Sequence, residues 1–114
     1  MSRTAYHNGL AAEDIALTLY PGAKLRARRA RTAAGEIDLI LEAEGQLIFV
    51  EVKARKTHAA AALSLSPRQQ ARILAGAEAW MAANALPLDS PCRFDVVTVA
   101  ADGSAERIEN ALSA

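Results

Sequence analysis

The chain has 114 residues, with 13 Lys plus Arg balancing 13 Asp plus Glu, one cysteine, and a hydrophobic fraction of 52% in which 27 residues are alanine. That size suits one domain, residues 1–114, able to bury roughly two-thirds of its unfolded surface, and the alanine content predicts thin, closely packed layers. The same numbers exclude an internal disulfide and a net charge that would name a partner; no run approaches the ~20 apolar residues of a membrane span.

Taken in order, residues from about Thr4 to Tyr20 read as a helix. Ala12, Ile15, Ala16 and Leu19 follow the spacing of a buried stripe, Glu13 borders it, and Pro21-Gly22 ends it. Arg3, His7, Glu13 and Asp14 interrupt any apolar run near the start, so no signal peptide is expected and the chain reads as cytosolic. Lys24 to Arg31 reads as a short strand, with Leu25 and Ala27 on one face and Lys24, Arg26 and Arg28 on the other. Residues 21–35 hold five basic residues and no acid, which suits either a charge-guarded edge strand or contact with a polyanion.

Glu36 to Glu42 and Gln46 to Lys53 read as two strands joined around Glu44-Gly45. Alternation puts Phe49, Glu51 and Lys53 on one face, Glu36 and Asp38 on another, and Ile37 and Leu39 opposite those acids. The hairpin then brings Asp38 beside Glu51 and Lys53 among apolar neighbours. Charges in such surroundings are costly unless they are paired or bind a metal. Two carboxylates with a lysine two residues after the second, E-x-K, suit metal-assisted phosphodiester cleavage, and oxygen donors favour Mg²⁺ or Mn²⁺. A structural salt-bridge cluster is the plainer alternative.

Thr57 to Leu65 is alanine-rich and reads as a loop or a frayed helix start. Ser66-Pro67-Arg68-Gln69 is an N-cap, a proline at the first helical position and a capping-box glutamine. The helix is expected to run to about Ala85, burying Ile73, Ala77 and Trp80, with Leu74 and Met81 beside them. Arg72 on this helix, and Arg55 just after the E-x-K strand, join the basic residues placed to meet phosphate. Arg93 to Ala100 is apolar on both faces and reads as an internal strand; Ala105 to Glu109 is a short last one. His7 and His58 lack metal-ligand spacing and read as incidental, while Cys92 and Trp80 read as packing. The order αβββαββ gives an α/β (α+β) fold with a mixed sheet and a helix on each side.

The chain resembles the YraN family, within the restriction-endonuclease-like PD-(D/E)xK nuclease superfamily, over nearly its full length. Gly9 and Glu13 carry the resemblance, with GEIDLI at 35–40, FVEVKAR at 49–55, Arg93 to Val97 and Ile108 to Leu112. An alanine run, Ala59 to Ala62, stands where a glycine and a proline would be expected. The resemblance implies a central mixed sheet flanked by helices, and a likeness to archaeal Holliday-junction resolvases. It implies Asp38 and Glu51 as metal-binding carboxylates with the Val52 carbonyl as a further ligand, Lys53 as the catalytic lysine, and Glu13 as an additional acid near the metal. The expected activity is Mg²⁺- or Mn²⁺-dependent hydrolysis of DNA, including branched or structured DNA, with Arg26, Arg28, Arg29, Arg55 and Arg72 on the nucleic acid. The competing expectation is a binding module of the same fold without turnover. Cutting two strands often takes a second subunit, so a homodimer is a further expectation.

Overall fold

A computed structural model describes residues 2–112, with side chains described from Leu10 onward; His7 and Gly9 fall outside the described side chains. The elements are α1 (Ser2–Leu17), β1 (Lys24–Thr32), β2 (Gly35–Ala43), β3 (Gln46–Ala54), α2 (His58–Leu63), α3 (Pro67–Ala83), β4 (Cys92–Val99) and β5 (Ala105–Ile108). The five strands form one sheet in chain order, antiparallel except for β3 and β4, which run parallel. The parallel pair needs a crossover, and α2 and α3 supply it. The mixed sheet between helices is thus the architecture expected from sequence.

Several element ends differ from the expected ones, and three differences matter here. The first helix stops at Leu17, short of the expected Tyr20, which lies beyond the helix and is buried against the sheet. The alanine run contains a helix, α2, because the Thr57 side chain caps it by accepting from the Ala60 N–H. The last strand ends at Ile108.

Each helix covers one face. On one side Ala12, Ala16 and Tyr20 pack on Leu39, Leu41, Ile48, Val50, Val97 and Val99. On the other, Ala77, Trp80 and Met81 pack on Ile37, Ile40, Leu47 and Phe49. Phe49 is the keystone of that second layer, stacked on Phe94 at 5.4 Å and edge-on to Trp80 at 6.1 Å. Small residues set the helix–sheet distance: a Cβ on Gly76 would come within 3.3 Å of Thr32 and 3.4 Å of Ile37. The β2–β3 turn uses positive φ at both Glu44 (54°) and Gly45 (77°), the twist-compatible geometry of a two-residue hairpin. No helix among the described residues is long and apolar enough to cross a membrane.

The α3 capping box forms as its sequence requires: the Ser66 hydroxyl accepts from the Gln69 N–H at 3.2 Å, and the Ser66 N–H donates to Gln69 Oε1 at 3.4 Å. Ser66→Ala is expected to cost about 1 kcal/mol, read as a lower thermal midpoint with unchanged spectra at low temperature.

Candidate metal and phosphate site

The β2–β3 ladder runs from Ala43 opposite Gln46 to Leu39 opposite Val50, and there it stops. The β3–β4 ladder continues to Ala54 opposite Val99. The sheet therefore forks at Asp38. Beyond the fork the Asp38 side chain replaces the missing strand: its Oδ2 accepts the Val52 N–H at 2.8 Å. A strand residue turns its N–H and C=O toward the same neighbour, so the Val52 carbonyl faces the same gap.

Alternation fails across this point. Ile37 and Ile40, three residues apart, both pack on the α3 side, while Leu39 and Leu41 pack on the α1 side. This corrects the expectation that Ile37 and Leu39 share a face. The neighbouring strand is irregular at the same level. Ala27 and Ala30, again three apart, both pack toward Trp80, and between them Arg29 has φ of 52°. Left-handed backbone costs a non-glycine residue roughly 1–2 kcal/mol, strain of the kind that collects at functional sites.

Burial and the nearby Glu51 carboxylate push the Asp38 pKa up to about 7, against the lowering effect of the Val52 N–H. The two carboxyls are close enough to share a hydrogen bond when one holds a proton. Glu51 also meets Lys53, Nζ to Oε2 at 3.2 Å, with both side chains nearly buried. Lys53 makes no ion pair with Asp38 among the described residues. Sequence alternation thus placed Glu51 with Lys53 correctly, and the fork rather than a regular hairpin register brings Asp38 to Glu51.

An open cleft of 290 Å³ lies on the α1 side of the fork, lined by Ala12, Glu13, Arg29, Glu36, Asp38, Val52, Ala54 and Arg55. Glu13 is 4% exposed, and α1 carries it to the cleft wall. Its Oε1 accepts from Arg28 Nε at 2.9 Å, and its two oxygens accept from Arg29 Nε at 3.2 and 3.1 Å. Arg28 is engaged at all three nitrogens, since Nη1 also donates to Asp14 at 2.9 Å and Nη2 to the Leu10 carbonyl at 3.1 Å. Arg26 lies elsewhere, pairing with Glu42 at 2.8 Å and covering the Trp80 ring at 5.9 Å. Arg72 lies against Gly35, where a Cβ would meet its side chain at 3.0 Å, and φ of 134° further restricts the position to glycine. Of the five arginines expected on nucleic acid, only Arg29 and Arg55 therefore line the cleft.

Two groupings escaped the sequence reading. Buried Asp95 accepts from Tyr20 Oη at 2.7 Å, Arg93 Nε at 3.1 Å and the Asn110 N–H at 3.0 Å. His58 bridges Thr98 and Ser104 through its two ring nitrogens at 2.7 and 2.8 Å, tying α2 to β4 and the β4–β5 turn. The Tyr20–Asp95, His58–Thr98 and His58–Ser104 contacts span 75, 40 and 46 residues, so no local spacing announces them.

Among known proteins, the model of the Uncharacterised protein family UPF0102 matches residues 12–99. A UPF0102 protein of Roseobacter denitrificans is 44% identical over 113 residues, covering 97% of this chain and 88% of that protein. One from Azorhizobium caulinodans is 42% identical, covering 96% and 85%. One from Cereibacter sphaeroides is 44% identical, covering 96% of each chain.

Proposed function

Starting from a chain that belongs to the UPF0102 family, we propose that it is a divalent-metal-dependent nuclease hydrolysing DNA phosphodiester bonds, including those of branched or structured DNA. The observation that carries this reading is the Asp38–Glu51 pair at the fork. Burial, and after it the neighbouring Glu51 carboxylate, holds Asp38 far above the ordinary carboxylate range. A purely structural cluster would bring a cation to each acid. Among the described residues one lysine pairs with Glu51, and Asp38 makes no ion pair, only the hydrogen bond it accepts from the Val52 N–H.

The donor set fits a hard cation. Among the described residues no group of three or more His, Cys, Asp or Glu side chains is arranged to hold a metal. Asp38, Glu51 and the Val52 carbonyl would instead hold it from one side. Mg²⁺ characteristically keeps several waters and takes one or two carboxylates, so this sparse set suits it and Mn²⁺ better than Ca²⁺ or Zn²⁺. Such an ion, when bound, activates an attacking water and neutralises charge building on the phosphate.

The chain's own groups do the rest. Asp38 keeps one oxygen on Val52, which fixes its carboxylate plane. Glu51 orients the Lys53 ammonium, leaving that group's remaining donors for the attacking water or a phosphate oxygen. Phe49 and Val50, buried on opposite faces of β3 just before Glu51, lower the local dielectric and strengthen these charges.

The test is a panel of linear, single-stranded and junction DNAs incubated with Mg²⁺ or Mn²⁺. Cleavage is expected with at least one substrate and is expected to vanish in Lys53→Met. Failure of both metals on every substrate would leave the binding-module reading in its place.

A further inference from the structure

Glu13 and Arg29 form a unit whose geometry does not match a metal ligand beside a loose surface arginine. The Glu13 side chain is 5% exposed and both its oxygens accept from guanidinium nitrogens. A carboxylate so engaged has its lone pairs turned toward arginine. Arg29 uses only Nε in this contact. Among the described residues neither of its terminal nitrogens has a partner, and its side chain is 43% exposed in the wall of the cleft that Asp38 also lines. Arg28 shares the Nε contact with Glu13, but its terminal nitrogens are taken by Asp14 and the Leu10 carbonyl. Successive residues of a regular strand face opposite sides; here Arg29 has a left-handed backbone, φ 52°, and Arg28 and Arg29 both reach Glu13. A guanidinium held by Nε, with two terminal nitrogens open to a cleft, is the fork that matches phosphate oxygens bidentately.

We infer that Glu13 and Arg29 form a phosphate seat, in which Glu13 is a positioning residue that aims Arg29 and the terminal nitrogens of Arg29 take a DNA backbone phosphate beside the Asp38–Glu51 pair. The inference rests on the reading of this cleft as the site of phosphodiester binding, and it reassigns Glu13 from the metal to the substrate. Arg55 flanks the same cleft and extends the phosphate path past Val52 and Ala54.

The test is fluorescence anisotropy of a short labelled DNA duplex with the full chain, in EDTA, across a salt series. Arg29→Gln is expected to bind roughly ten-fold more weakly at about 50 mM salt, with a log–log salt slope shallower by about 0.9, one phosphate contact. Arg29→Lys keeps the charge but cannot hold Glu13 and a phosphate together, so it is expected to stay close to Arg29→Gln. Glu13→Gln is expected to weaken DNA binding several-fold while leaving Mn²⁺ affinity, read by calorimetry, unchanged. Lys24→Gln, on the same strand outside the cleft, controls for general charge.

Unchanged affinity and slope in Arg29→Gln would overturn the seat. So would full rescue by Arg29→Lys, or a Glu13→Gln protein that loses Mn²⁺ but not DNA. These binding measurements need no turnover. A wild-type protein that cuts nothing but shows the Arg29-dependent slope refutes the nuclease reading and leaves the seat standing.

Discussion

Asp38→Asn is expected to make the protein more stable and, at the same time, inactive. The folded-state pKa of Asp38 is raised to about 7 from an unfolded value near the ordinary 3.8. Between those values the folded protein binds more protons than the unfolded chain, so stability falls as pH rises through this window and levels off above it. Each unit corresponds to about 1.4 kcal/mol, which bounds the destabilisation near pH 8 at about 4 kcal/mol. Asparagine keeps an oxygen for the Val52 N–H and offers its amide to Glu51, so repulsion becomes a hydrogen bond. Urea unfolding at about pH 5 and about pH 8 is expected to show a downward slope in the wild type that the variant lacks. The variant gains about 4 kcal/mol at the higher pH and about 1.5 kcal/mol at the lower, because part of the window from 3.8 to about 7 already lies below pH 5. Cleavage is expected to fall roughly 10²–10³-fold or more with loss of a charge-stabilising ligand. A variant destabilised at both pH values would mean that Asp38 is structural.

The second large effect lies away from the cleft. Asp95 is 1% exposed, and on it converge Tyr20 from the end of α1, Arg93 from its own strand and the backbone of Asn110. Arg107 closes the network from outside, 4.8 Å over the Tyr20 ring, while donating to the Leu19 carbonyl at 2.9 Å. Burial and the Asp95 carboxylate hold the Tyr20 pKa above the ordinary tyrosine range, so its hydroxyl remains a donor at neutral pH. Asp95→Ala strands that hydroxyl and the Arg93 guanidinium at once, and removing one partner of a buried charged pair costs about 3–5 kcal/mol. Asp95→Asn, which keeps an acceptor, is expected to lose about half as much. Denaturant midpoints decide it; a loss under about 1 kcal/mol in Asp95→Ala would show that water replaces the carboxylate.

These two acids illustrate what the sequence makes legible. β3 could be read outright, because Leu47, Phe49, Glu51 and Lys53 keep strict alternation and a glycine turn precedes them. The α3 start could be read because its capping chemistry is confined to four consecutive residues. Asp38 was legible as an acid next to the E-x-K strand, but not the means by which it arrives there. A regular hairpin would have set Ile37 and Leu39 on one face. The fork costs the ladder its next rung, and the Asp38 side chain substitutes for it. Nothing in a period-two pattern encodes that exchange. Glu13 was legible at the site only through family resemblance, and its arginine partners were not legible at all, since regular alternation would put Arg28 and Arg29 on opposite faces, whereas both reach Glu13 and Arg29 has a left-handed backbone. Asp95, Tyr20 and His58 act through tertiary contacts of long sequence separation, which spacing arguments cannot reach.

The central claim is that Asp38 and Glu51 together hold a divalent cation. The most direct measurement is anomalous diffraction from a crystal soaked in Mn²⁺ above pH 7, where Asp38 is ionised. An anomalous peak is expected about 2.1 Å from one oxygen of each carboxylate and from the Val52 carbonyl, lost in Asp38→Asn. An empty fork at saturating Mn²⁺, with Asp38 and Glu51 joined by a proton and Lys53 still on Glu51, would contradict it.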